Sequence, residues 1–257
     1  MPKISVVMTA HNEAGAIGRA VRGVLDQTEG DFELLVVDDG STDRTPRVLE
    51  GLQDPRISVI VHPRRLGISA SRNEAIRRAR GRYIAIHDAD DLSLPERFRR
   101  QAGFLDDHPE IALCGSWGRM RDDRGRVFEF RTPVEPERIA AGVLRACPIV
   151  NSTLMARSEV LKRLLYDEGL GRAEDYDLFL RAARECGLAN LPEFLVEYDS
   201  SLAWGYKIRD QYWKTRARWR AFSRHGYPWS QAFWLLLPLP TLLVPWRLKQ
   251  AFRRFFI

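Results

Sequence analysis
The chain has 257 residues, 45% of them hydrophobic and 29% charged. That is a globular composition, which excludes a disordered or fibrous polymer and allows one large domain or two small ones. Its net charge of +6 is unevenly placed: Lys207 to Ile257 holds eleven Lys or Arg against one acid, Asp210, so the body before it is mildly acidic. A general nucleic-acid binder carries positive charge along its working face; no nucleic-acid partner is expected, and the basic tail is expected to lean on something anionic.

Strand and helix patterns alternate through the first hundred residues. Ile4 to Thr9 is a β-rich apolar run of the kind buried on both faces of a parallel sheet. Ile17, Val21, Val24 and Leu25 recur at helical spacing, and Phe32 to Val37 forms a second strand ending in Asp38-Asp39-Gly40-Ser41. A helix from Arg44 to Leu52, a strand from Ile57 to Val61, a helix from Ala70 to Ala79 and a strand from Tyr83 to Ile86 follow, the last ending in His87-Asp88-Ala89-Asp90-Asp91. Such alternation implies right-handed crossovers and a doubly wound sheet, whose ligands bind beyond the carboxyl ends of the strands. Each polar cluster named here sits at such an end.

After Pro95 the pattern loosens. The residues predict a helix through Phe98 and Leu105, a strand from Ile111 to Trp117, a hairpin turn over Arg121–Arg126 leading to a strand from Val127 to Phe130, a helix after Pro136 and a short strand at Thr153 to Met155. Glu174-Asp175-Tyr176-Asp177 opens a further helix, with acids in the first turn where the macrodipole favours them. Tyr206 to His225 interleaves Lys and Arg with Tyr212, Trp213, Trp219 and Phe222 and reads as a basic, aromatic helix. Ala232 to Trp246 is apolar but broken by Pro238, Pro240 and Pro245, and shorter than the roughly 20 residues of a spanning helix. An interfacial anchor is expected instead, with Trp229, Trp234 and Trp246 at headgroup depth and Arg247, Lys249, Arg253 and Arg254 on anionic lipid; the alternative is a helix packed on the domain. Cys114, Cys147 and Cys186 are an odd, widely spaced set without a CxxC pair, which implies a reducing compartment and neither a disulfide framework nor a zinc site. No secretory signal is read at the N-terminus, so a cytoplasmic location, peripheral on the inner face of the membrane, is expected.

Three clusters carry chemistry. Asp88-Ala89-Asp90-Asp91 places carboxylates side by side at a strand end, where unpaired acids repel and raise one another's pKa; Mg²⁺ or Mn²⁺ relieves that while leaving coordination positions for phosphates. Capping of the next helix by Asp90 or Asp91 is the simpler alternative. In Asp38-Asp39-Gly40-Ser41-Thr42-Asp43, Gly40 permits a sharp turn, Asp39 is placed to accept from a base N–H, and Thr42 or Asp43 to cap a helix. Thr9-Ala10-His11-Asn12-Glu13 offers backbone for close approach of a nucleotide and a His11 ring to stack on a base.

In order and spacing these pieces resemble the family 2 glycosyltransferases. The matching segments are Ile4 to Glu13, Leu25-Asp26-Gln27-Thr28, Val36 to Asp43, Gly67 with Ala70-Ser71-Arg72-Asn73, and Gly81 to Asp91. The match is close over residues 1–110 and loose to about residue 200. The resemblance implies a GT-A type, Rossmann-like α/β fold with a doubly wound mixed sheet: a glycosyltransferase domain over 1–205, divided into a nucleotide-sugar half (1–110) and an acceptor half (111–205), then the basic aromatic helical segment 206–257. It implies that Thr9, Ala10, His11, Glu13, Asp39, Arg72, Asp88 and Ala89 hold a nucleotide-sugar donor, His11 standing where the family often has a stacking Tyr, Asp39 reading the uracil edge and Arg72 lying near the diphosphate. Asp88 and Asp90 form the family's D-x-D, with Asp90 the more direct ligand of Mn²⁺ or Mg²⁺. Asp175 takes the place of the catalytic base, with Asp177 as rival.

The chemistry is coherent: the leaving diphosphate needs its developing charge neutralised, and the acceptor hydroxyl needs a carboxylate to take its proton. One base and no opposing nucleophile predict a single inverting displacement from a nucleoside-diphosphate sugar, UDP-linked as the resemblance implies, onto a hydroxyl of a glycan or lipid-linked acceptor, as in cell-envelope polysaccharide assembly. Gln211-Tyr212-Trp213-Lys214-Thr215 lacks the Q-x-x-R-W of processive synthases, so one sugar per event is expected. A haloacid-dehalogenase phosphatase is excluded because Val37 stands where its nucleophilic acid belongs. A non-catalytic nucleotide-binding or scaffold protein of the same fold is the remaining alternative.

Overall fold
The computed structural model describes residues 1–121, 125–199 and 204–236. The predicted alternation is present: strand β1 (Ile4–Ala10), helix α1 (Ile17–Leu25), β2 (Phe32–Asp38), α2 (Thr45–Glu50), β3 (Ile57–Val61), α3 (Ile68–Arg78) and β4 (Tyr83–Asp88). Then come β5 (Leu92–Ser93), α4 (Arg97–Asp107), β6 (Ile111–Arg121), β7 (Val127–Phe130), α5 (Pro136–Gly142), β8 (Met155–Arg157), α6 (Ser158–Leu164), α7 (Glu174–Glu185), β9 (Gly187–Asp199) and α8 (Trp204–Arg224).

All but one of the strands lie in the order β3-β2-β1-β4-β8-β6-β9-β5, with β7 pairing off β6. The first four are mutually parallel, β8 runs antiparallel between β4 and β6, β9 is parallel to β6, and β5 returns antiparallel on β9. Side chains of β1 alternate between two cores. Ile4, Val6, Met8 and Ala10 pack with Ile17, Val21 and Val24 of α1 and with Phe98, Ala102 and Leu105 of α4. Val7 faces the other way with Ala75 and Ile76 of α3, Leu161 of α6 and Phe179 of α7. Two buried faces explain why β1, β2 and β4 are unbroken apolar runs. The edge strand β3 is different, for Val59 and Val61 are exposed.

Three elements escape the sequence pattern: β5, α6 and the thirteen-residue β9. The pairing of β9 with β6 slips in register beside Ser116 and Trp117, and such irregular strands lose the strict two-residue period that reveals them. The acids after β4 lead directly into β5, so neither Asp90 nor Asp91 caps a helix.

The division at 205/206 falls inside α8 and is corrected by its packing. Ala217, Ala221 and Phe222 are buried with Ala173, Tyr176 and Leu180 around α7 and with Val143 and Leu144. Arg218 donates through Nε to the Leu144 carbonyl at 2.7 Å. The first half of the basic segment is therefore part of the domain. Trp229–Leu236 forms a 3₁₀ turn on α8, and no helix among the described residues is long and apolar enough to cross a membrane. Residues 122–124 of the hairpin turn, and the anchor residues Trp246, Arg247, Lys249, Arg253 and Arg254, lie outside the described residues.

Candidate active site
The register of the parallel strands puts their chemistry in one place. Thr9 of β1 pairs with Asp88 of β4, and Ala10 with Asp38 of β2. Their carboxyl ends open on a cleft of about 910 Å³ lined by Thr9, Ala10, His11, Glu13, Asp39, Arg72, Asp88, Ala89, Asp90 and Asp175, which are all the site residues read from the sequence. Asn151, Glu174 and Lys214 line it too.

On one side, two loops interlock. The Asn12 side-chain oxygen accepts from the Thr42 amide at 2.8 Å, and the amides of Glu13 and Ala14 donate to Thr45 Oγ1 and Asp43 Oδ2. Gly40 turns with φ of +64°, and a Cβ there would stand 2.5 Å from the Arg64 carbonyl carbon, which glycine alone tolerates. His11 Nδ1–H donates to the Asp39 carbonyl at 2.9 Å.

Asp39 is already engaged by its own surroundings. Its carboxylate already receives the amides of Leu66 (2.7 Å) and Gly67 (2.9 Å), and His62 Nδ1 lies 3.1 Å away. Burial opposes its charge, but the Leu66 amide, His62 and the Gly67 amide outweigh burial and hold the carboxyl below its usual value. His62 reaches Glu74 on its other side at 2.8 Å. Burial of the ring is again outweighed, and bonds to Asp39 and Glu74 raise its pKa. Asp39 thus fixes the loop that walls the cleft.

The acids at the end of β4 are not an unrelieved cluster either. Arg72, 2% exposed, donates through Nη2 to Asp88 at 2.6 Å and through Nη1 to Glu174 at 2.8 Å. Its guanidinium stacks over Tyr166 at 5.2 Å. Both terminal nitrogens donate to carboxylates, so Arg72 is a strap between the two acidic motifs while still lining the cleft. Ser152 Oγ donates to the second Asp88 oxygen at 2.9 Å. Despite burial, the Arg72 charge and these bonds lower the Asp88 pKa. The remaining negative charge is concentrated beside it. Burial, then Asp90, Asp43 and Asp88, raises the Glu13 pKa. Asp91, buried beside Asp88 and Asp90, is pushed well above the carboxylate range by burial first and by those two charges next.

Across the strap, α7 starts from a strained residue: Ala173 has φ of +56°, a left-handed conformation costly for any side chain. Asp175 follows in the first turn and takes the Tyr176 amide at 2.7 Å. Burial, reinforced by the Glu174 charge, raises its pKa to about 6, with Lys214, the Tyr176 amide and Arg72 pulling the other way. The rival Asp177 turns inward: it is fully buried, accepts from Arg181 Nε at 2.9 Å, and is flanked by Arg220 and His225. Lys214 comes from α8, the segment read as a tail. Beside it Trp213 packs on the loop before α7 so closely that a Cβ on Gly171 would lie 3.0 Å from the indole. Nothing local in the sequence marks Asn151, Ser152, His62 or Lys214 as residues of this site; only the fold assembles them.

Among the described residues no group of three His, Cys, Asp or Glu is gathered to hold a metal by itself. The donor set nonetheless suits a hard cation. Magnesium and manganese take one or two protein carboxylates with phosphate and water oxygens, and Asp90, Asp88 and Glu13 bring carboxylates to one cleft, where Asp90 and Asp88, after burial, add to the rise in the Glu13 pKa.

The family model for Glycosyl transferase family 2 matches residues 5–165. An uncharacterized glycosyltransferase of Methanocaldococcus jannaschii is 31% identical over 255 residues, covering 92% of this chain and 87% of its own. The succinoglycan biosynthesis protein ExoO of Rhizobium meliloti is 32% identical over 202 residues, covering 73% of this chain and 57% of its own. Among solved structures, S. aureus TarS 1-349 in complex with UDP-GlcNAc superposes with a TM-score of 0.70 at 20% identity, over 88% of this chain and 68% of that one. The mannosyltransferase PcManGT from Pyrobaculum calidifontis, in complex with GDP-Man and Mn²⁺, gives 0.67 at 20% identity, over 88% and 66%. These likenesses identify the GT-A fold.

Proposed function
The chain belongs to glycosyl transferase family 2 and is a glycosyltransferase, and from that premise we propose that it moves one sugar from a nucleoside-diphosphate sugar, UDP-linked, to a hydroxyl of a glycan or lipid-linked acceptor with inversion. The observation that carries this reading is the Arg72 strap, which holds Asp88 beside the first turn of α7 within one cleft. Donor-side and acceptor-side acids so joined suit an in-line displacement, in which leaving group and attacking hydroxyl lie on opposite sides of one carbon.

Thr9, Ala10, His11 and Glu13, with the loop fixed by Asp39, form the nucleotide side. Asp175 takes the acceptor proton: its pKa of about 6 leaves it ionised near neutrality yet basic enough to receive that proton. Asp90, assisted by Asp88, would hold Mn²⁺ or Mg²⁺, which when bound neutralises charge on the leaving diphosphate. A relative named for succinoglycan biosynthesis and neighbours solved with UDP-GlcNAc or GDP-Man and Mn²⁺ support donor, metal and envelope-polysaccharide acceptor.

The test is nucleoside-diphosphate release from a panel of UDP- and GDP-sugars with Mn²⁺, Mg²⁺ or EDTA. Wild type is expected to be active with metal and to lose at least about a hundredfold in EDTA or as Asp90→Ala. Equal rates for wild type and variant in both conditions rule out the metal role. NMR of the first-formed glycoside reads the inversion.

We also propose that the enzyme works at a membrane surface. Tyr212, Trp219, Trp229, Phe233 and Leu236 are exposed on α8 and the turn after it, with Arg216 and Arg224 exposed among them, a composition suited to an anionic interface. Co-sedimentation with phosphatidylglycerol vesicles is expected to drop severalfold in a Trp229→Ser/Phe233→Ser variant; unchanged pelleting removes this patch from the interface.

A further inference from the structure
One polar group in the cleft is built to meet something that neither the nucleotide side nor the catalytic acids account for. Asn151 opens the short 3₁₀ turn Asn151–Thr153 before β8 and is only 9% exposed. The Tyr166 hydroxyl donates to its side-chain oxygen at 2.9 Å. Tyr166 is itself immobilised: its amide donates to Asn73 Oδ1 and its carbonyl accepts from Asn73 Nδ2, both at 2.8 Å. The Asn151 side chain is thus clamped at one end, while its buried Nδ2 has no hydrogen-bond partner among the described residues, and the residue lines the cleft. A buried donor left unpaired is costly, and native structures keep few of them without a reason.

Its position names the reason. The next residue, Ser152, holds Asp88, Asp88 is strapped through Arg72 to Glu174, and Asp175 follows. Asn151 therefore shares one cleft wall with the acids assigned to the leaving diphosphate and the acid assigned to the incoming hydroxyl, and that cleft is where the sugar in flight must stand. Resting on the nucleotide-sugar reading above, we propose that Asn151 is the residue through which this enzyme selects its donor sugar, its amide N–H donating to one hydroxyl or equivalent ring substituent. An amide fixed by its own neighbour is a rigid reader: it matches a sugar with an acceptor oxygen at that point and is left unsatisfied by one without it.

The experiment compares wild type, Asn151→Ala and Asn151→Asp. Asn151→Asp retains the oxygen that Tyr166 binds and removes the N–H; thermal melting checks that each variant is folded. UDP and GDP binding is measured by calorimetry. Then the UDP- or GDP-sugar best used by the wild type is set against its 2-, 3-, 4- and 6-deoxy analogues. Wild type is expected to lose on the order of 10- to 100-fold in kcat/KM on one deoxy analogue. Both variants are expected to lose a similar factor on the parent sugar, to show no further loss on that analogue, and to bind free nucleotide as wild type does. If the variants and wild type discriminate equally at every position, or if the loss falls on free-nucleotide binding, Asn151 is not the reader, although the enzyme remains a nucleotide-sugar transferase. If wild type uses no member of the sugar panel, the donor reading falls first and takes this inference with it.

Discussion
Asp175→Asn is expected to reduce transfer about 10²- to 10⁴-fold, the span of a lost general base, with little change in donor binding. The wild-type rate is expected to fall as pH drops through about 6, where Asp175 takes up its proton, and by about tenfold per unit below that. The direction follows from the chemistry: a base works only when ionised, so raising its pKa moves the acid limb toward neutrality. Burial and the Glu174 charge raise it, while Lys214 restrains it. Lys214→Met should therefore shift the limb to higher pH while leaving the high-pH plateau closer to wild type than Asp175→Asn does. A pH–rate profile of the three proteins decides this. An identical acid limb in wild type and Lys214→Met removes α8 from the proton-transfer step, and full activity in Asp175→Asn removes the base.

The second large effect is expected on stability. Arg72→Ala leaves Asp88 and Glu174 facing each other without the guanidinium between them. Breaking a buried ion pair from one side costs about 3–5 kcal/mol, and because the Asp88 side chain is 29% exposed, the lower end applies. In a chain of this size about 3 kcal/mol corresponds to a fall in melting temperature of roughly 6–12 °C. Arg72→Lys is expected to recover only part of it, since a point charge lacks the planar fork that spans both carboxylates. A melt unchanged in Arg72→Ala would show that the strap carries no structural weight.

Much of this was legible in the residues, for identifiable reasons. Parallel strands buried on both faces write themselves as continuous apolar runs, so β1, β2 and β4 and the polar clusters at their ends stand out. The start of α7 is legible because acids in a first turn are a local pattern, whereas the role of Asp175 is only what the family resemblance implies. Partnerships across the fold are not. Arg72 reaches Asp88 and Glu174, 16 and 102 residues away, and a sequence cannot show that a basic residue is spent on such partners. The same blindness covers the bonds that Asp39 takes from the 66–67 amides. It covers Asn151, whose clamp comes from Tyr166. The basic, aromatic composition of α8 suggested a separate appendage, because Ala217, Ala221 and Phe222, the small and apolar residues that seat it in the core, are few among charged neighbours.

A single rod of helix thus shows two sides of unlike chemistry. Inward, α8 presses Trp213 on Gly171 and brings Lys214 to the cleft; outward, it carries Tyr212 and Trp219 into solvent. A rigid rod cannot turn one side without turning the other. Any substitution that alters its pitch or seating therefore shifts the exposed aromatic side and a wall of the cleft together.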